Sequence, residues 1–199
     1  MIRAFLFFTL FLFGSNSIHL VSNEVLDAKE ATIVFSSESF LKIIGKTNVS
    51  TFECHFDMDA FSEAIKISYQ DYGKKIKFVD TKLILPNVEF NCGGRVINKD
   101  FKELLNTDEY PAITLKLKEI SKIKSHDTSI KATVEITIGN IVKTYTIPVS
   151  ITQDQDLHVS GVMPLDINDF NLIAPTKMLG MVKVSSEIEI QFSLKILES

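Results

Sequence analysis

From residue 28 onward, apolar and polar side chains alternate with a period of two. The clearest run is near the C-terminus, where Ile188, Ile190, Phe192, Leu194 and Ile196 face one way and Glu187, Glu189, Gln191, Ser193 and Lys195 the other. That pattern predicts a strand with one face on a core and one in water. Ile130, Ala132, Val134, Ile136 and Ile138 repeat it. Gly139-Asn140 then predicts a tight hairpin turn, returning along Ile141–Ile151, with Pro148 marking an edge or a bulge. Shorter alternating runs cover Phe52–Phe56, Ile65–Tyr69, Ile76–Phe78 and Ile113–Leu117, and 31–36, 40–46, 83–91 and 157–167 are strand-like.

One segment departs from this period. Between Asn98 and Asn106, Phe101, Leu104 and Leu105 recur at helical spacing, Asn98 offers a cap and Pro111 forbids continuation. A short helix is predicted there, and a second near 59–64. Eight or more short strands with one or two short helices specify an all-β sandwich or barrel in one domain over residues 28–197. In a closed eight-stranded barrel the apolar faces point inward, and the interior is either filled by side chains or holds one small ligand. An occupant of such a lining is apolar.

Composition changes the picture at the N-terminus. Of 15 Phe in 199 residues, five lie in the first thirteen positions, inside an uncharged run from Ala4 to Phe13 that follows Arg3. With Gly14, Ser15, Asn16 and Ser17 behind it, residues 1–17 read as a cleaved secretory signal peptide, and the run is too short to span a bilayer. A periplasmic or secreted location follows, with no stable membrane anchor. Its removal takes Arg3 and moves the net charge from −4 to −5. A weakly acidic chain without a basic block is a poor nucleic-acid binder. Cys54 and Cys92 form the one pair available for a disulfide in an oxidising compartment, closing a loop of about 39 residues worth about 4 kcal/mol. Two buried thiols are the alternative.

Chemistry is sparse. There is no nucleophile elbow, phosphate loop or paired-His metal helix. His19, His55, His126 and His158 are far apart. Cys54 and Cys92 have no evident His partner, Asp57/Asp59 and Asp166/Asp169 have the spacing of turns, Gly93-Gly94 is a turn, and Asn48-Val49-Ser50 is a common glycosylation-type triplet. No metal site and no catalytic residue is expected, and the chain is read as not an enzyme.

Several segments together resemble a known family. Asp100-Phe101-Lys102-Glu103-Leu104-Leu105 through Tyr110-Pro111-Ala112-Ile113 is similar to the D-F-x-x-L-L…Y-P-x-I stretch of YceI-like proteins. Gly45 to Phe52 resembles that family's G-x-x-x-V-x-x-F segment. The strands around Gly139 and Pro148 resemble its T-I-x-G…P-V hairpin, and Leu165–Phe170 with Val182–Leu197 its closing segment. The resemblance implies an antiparallel eight-stranded lipocalin-like barrel in a bacterial periplasm that holds a polyisoprenoid or another apolar lipid, without catalysis. It implies no cofactor beyond a bound isoprenoid lipid or quinone, and a homodimer is allowed. The loop 171–181, with Ala174-Pro175-Thr176, departs from the family pattern. The expected ligand-facing residues are Phe52, Phe56, Phe101, Leu104, Leu105, Ile113, Leu115, Val134, Ile136, Phe170, Met178, Ile190 and Phe192. The alternative reading is a filled barrel serving as a structural or stress-response module that binds another protein.

Overall fold

A computed structural model describes residues 27–61, 63–122, 124, 128–177 and 181–198. The expected signal peptide, His19, His126 and Met178 lie outside the described residues.

The alternating segments form one antiparallel ring of eight strand positions. Three positions are interrupted strands. The first joins β1 (Lys29–Phe35) to β2 (Phe40–Lys46), the second β3 (Thr51–Phe56) to β4 (Ile65–Asp71), and the third β5 (Lys75–Asp80), β6 (Lys82–Pro86) and β7 (Phe90–Asn91). Then come β8 (Ala112–Ser121), β9 (Ser129–Ile138), β10 (Ile141–Gln153), β11 (Leu157–Asp166) and, after the small hairpin of β12 (Thr176–Lys177) and β13 (Val182–Lys183), β14 (Glu187–Glu198). Consecutive positions pair, and β14 closes the ring by pairing β2 through Ile190↔Ile43 and β1 through Phe35↔Ile196. At the break between β1 and β2, Ser39 replaces ladder bonds: Lys195 donates its backbone N–H to the Ser39 hydroxyl at 2.9 Å.

Short connections and residue-level chemistry fix this register. Gly139 takes φ +60° in the β9–β10 turn, as its position predicts. Pro148 lies at an edge, for a reason visible in the ladders. Ile151 N–H donates to Thr128 O at 2.9 Å, so odd-numbered nitrogens of β10 point to β9 and Pro148 points to β11. Ile167 N–H donates to Ser186 O at 2.9 Å, so Pro164 on β11 points its nitrogen back toward β10. Each proline withholds a donor from the seam, and the β10–β11 ladder is confined to Ser150–Gln153 and Leu157–Ser160. Tyr145 spans the parted strands by donating its hydroxyl to Asp169 Oδ2 at 3.1 Å.

Among the described residues there is one α-helix, α1 (Arg95–Leu104), which starts three residues before Asn98. The expected cap is displaced because Asn98 is engaged otherwise: its Oδ1 accepts the Cys92 N–H at 2.6 Å and its amide donates to Asn91 Oδ1 at 3.2 Å. The second expected helix is a single 3-10 turn, Met58–Phe61.

Candidate functional site

The inner wall divides into a packed part and a looser part. The packed part contains Ile136 at 1% exposure and Cys54 at 1%, with Leu85, Phe90, Met163 and Leu165 buried around them. Cys54 and Cys92 form a disulfide with Cα atoms 3.8 Å apart, so the bridge expected from the cysteine count is present. It fastens the segment leading into α1 to β3. A chain of rings continues from the helix into the barrel: Phe101 meets Phe90 at 5.1 Å, Phe90 meets Phe56 at 5.0 Å, Phe56 meets Phe61 at 5.3 Å, and Phe61 meets Phe35 at 5.6 Å between centroids. Offset and edge contacts of this kind add about 0.5–1.5 kcal/mol each beyond area burial.

The looser part is the β1–β4–β5 wall with the end of β14. Cross-strand pairs place Ile33 opposite Ile65, Ala31 opposite Ile67, Tyr69 opposite Phe78, and Phe35 opposite Ile196, all on the inward register. These side chains are half-buried, and none belongs to the buried core or to the apolar residues packed against it. An apolar inner wall that still meets solvent is a surface suited to an apolar ligand.

The sequence-expected residues distribute across the packed part and its margin. Phe56, Leu105, Ile113, Ile136 and Phe170 are buried. Phe101, Leu104, Leu115, Val134 and Ile190 are partly buried against that core. Phe52 and Phe192 have a further task. A Cβ on Gly45 would collide with the Phe52 ring, and one on Gly161 would stand 2.8 Å from Phe192 Cζ. Each ring therefore covers the backbone of the glycine paired with it across the ladder. The residues missed are Ile33, Phe35, Phe61, Ile65, Ile67, Tyr69 and Phe78. Period-two alternation marks Ile65, Ile67, Tyr69 and Phe78 as a strand face, whereas Phe61 sits in the 3-10 turn, where no periodicity points inward. The inner register also carries a cation, half-buried Lys143, opposite Ile136 near the β9–β10 turn.

Two concavities lie elsewhere, each with several charged side chains in its lining. One of about 1430 Å3 wraps the outside of α1, lined by Arg95, Lys99, Asp100 and Glu103 among others. Another of about 390 Å3 opens at the β10–β11 seam beside Tyr145, Asp166, Asp169 and Glu189. Burial, followed by its bond to Asp169, pushes the Tyr145 hydroxyl up to about 12. The acidic pairs do local structural work. Asp57 Oδ1 accepts the Asp59 N–H at 3.0 Å, and Asp166 Oδ1 accepts the Asn168 N–H at 3.0 Å, a bond that holds the Asp166 carboxyl below its usual range. His55 is exposed and pairs with Glu53 at 3.0 Å. The Asn48 amide is committed to the β12–β13 hairpin, donating to Met181 O at 2.9 Å and accepting Lys183 N–H at 3.0 Å. Among the described residues, no group of three or more His, Cys, Asp or Glu could hold a metal ion, and no helix is long and apolar enough to cross a membrane.

The sequence model of the YceI-like domain matches residues 87–196, more than half of the chain. The chain belongs to the YceI-like family. Two solved structures share the fold of this YceI-like barrel. BcnA of Burkholderia cenocepacia is 18% identical with a TM-score of 0.57, the match covering 80% of this chain and 96% of that one. A polyisoprenoid binding domain from Saccharophagus degradans is 12% identical with a TM-score of 0.61, over 86% of this chain and 100% of that one. At these identities the likeness shows the fold. No curated protein matches the sequence.

Proposed function

We propose that this YceI-like protein binds a long apolar lipid, an isoprenoid or a quinone with an isoprenoid tail, inside its barrel and performs no chemistry on it. The observation that carries the reading is the half-buried apolar wall of Ile33, Phe35, Ile65, Ile67, Tyr69 and Phe78 on the inward register. The polyisoprenoid binding described for the Saccharophagus domain supports the ligand class. The apolar run at residues 4–13 and the Cys54–Cys92 bridge support a site of action outside the cytoplasm, in a periplasm or a secreted pool. Titration of the purified protein with a fluorescent polyene such as cis-parinaric acid tests the site. Saturable enhancement displaced by a polyprenol is the expected result. Fluorescence that rises without saturation and resists displacement would dismiss it.

A further inference from the structure

The charge of this weakly acidic chain is distributed unevenly. Residues 65–86 and 112–138 hold ten of its 21 Lys and Arg but five of its 25 Asp and Glu. Those segments are adjacent in the ring as β4, β5, β6, β8 and β9. The ladders set their lysines on one outer face. Lys82 stands opposite Lys116, Lys77 opposite Glu119, and Lys75 opposite Ser121, while Lys66 and Lys131 are exposed on the two flanking strands. Glu119 pairs with Lys75 at 2.8 Å, Asp71 with Lys122 at 2.8 Å, and Glu135 is shared by Lys116 at 3.6 Å and Lys118 at 3.7 Å, so five acids against ten bases leave these segments with net positive charge. At the end of this face is the β4–β5 turn, Tyr72-Gly73-Lys74. Tyr72 is 45% exposed there, with the Lys77 ammonium 4.9 Å from its ring centre, and Lys74 is exposed beside it. On the inner side of these same two strands are Ile65, Ile67, Tyr69 and Phe78.

We propose that the β4–β5 end of the barrel docks on an anionic lipid bilayer, with Tyr72 at the headgroup level and the lysines of the outer face against the charged surface. The inference goes beyond lipid binding and takes that reading as its ground, because docking at this end sets the apolar wall beside the membrane that supplies its ligand. An exposed aromatic ring flanked by lysines is the side-chain combination that settles at a membrane interface, and a lysine near an anionic surface is worth about a fivefold change in partitioning. Charge complementarity selects the occupant: a neutral bilayer offers nothing to the lysines, and a soluble polyanion has no use for Tyr72.

The test is sedimentation of the full chain, lacking only residues 1–17, with vesicles of phosphatidylcholine or of phosphatidylcholine mixed with phosphatidylglycerol. Binding to the mixed vesicles alone, weakened by salt, is expected. The pair Lys74→Gln and Lys77→Gln should lower it at least tenfold, and Tyr72→Ser severalfold. An equal charge change on α1, Lys99→Gln with Lys102→Gln, should leave it within twofold, which separates this face from net charge. Equal binding to both vesicle types, or equal loss in the α1 variant, overturns the proposal. So does heparin binding that matches vesicle binding while Tyr72→Ser affects neither. Parinaric acid uptake, read in solution on the same samples, separates the two claims. Uptake without vesicle binding removes docking alone, whereas vesicle binding without uptake supports docking and removes the lipid site.

Discussion

The two parts of the inner wall should respond differently to the same substitution. Ile136 is 1% exposed and paired with Leu115 and Lys143 across its ladders. Ile136→Ala removes three carbons, about 2.4 kcal/mol of transfer free energy, and the cavity left in a packed surround raises the total to about 3–4 kcal/mol. Ile67 faces the same interior from β4 but is half-buried and outside the packed cluster. Its neighbours lose fewer contacts, so Ile67→Ala should cost about 1 kcal/mol. For a domain of this size, each kcal/mol moves Tm by about 3 °C. Thermal and urea unfolding should therefore place Ile136→Ala about 10 °C below the parent and Ile67→Ala about 3 °C below. Parinaric acid affinity should rank them the other way, with several-fold weakening in Ile67→Ala and little change in folded Ile136→Ala. Glutamate sharpens the contrast: a carboxylate buried at 136 should destabilise the fold strongly even with Lys143 across the ladder, while Ile67→Glu should fold and lose the probe. Equal stability losses at the two positions, or a larger loss at 67, would refute the division of the barrel.

Three further outcomes follow from named contacts. Reduction of the Cys54–Cys92 bridge, or Cys54→Ser with Cys92→Ser, should cost about 4 kcal/mol in urea melts, because the bridge spans 38 residues. Gly161→Ala should lose about 1–3 kcal/mol by driving a methyl into the Phe192 ring, and adding Phe192→Leu should recover part of it; additive losses in the double-mutant cycle would deny the contact. Tyr145, raised to about 12, contributes stability that is whole below pH 10 and lost as the pH rises from 10 toward 12; ultraviolet tyrosine titration should find it among the last phenols to ionise, and ionisation near 10 would contradict the partial burial of the ring and its bond to Asp169.

Alternation makes the ring legible in the sequence, because a strand with one wet face must repeat every two residues. The runs around Ile136 and Ile190 form β9 and β14, and Gly139 turns where its position demands. Periodicity carries less information about depth. Ile136 and Ile67 have the same alternating surroundings, yet one is sealed and the other meets solvent. The aromatic chain from Phe101 to Phe35 is illegible for another reason: one of its linking rings, Phe61, comes from a turn rather than a strand. The start of α1 escapes the sequence because Asn98 has the chemistry of a cap but spends it on Cys92 and Asn91. Pro148 marks its edge from the strand pattern alone, while its counterpart Pro164 shows the same role only through the register.

The central claim, an apolar lipid held inside the barrel, is tested most directly by native mass spectrometry of the protein recovered from cells that express it, followed by organic extraction. The account expects one added lipid mass per chain, extracted as a long isoprenoid species and lost in Ile67→Glu. Protein that carries no lipid as recovered, and takes none from polyprenol-loaded vesicles, would contradict it.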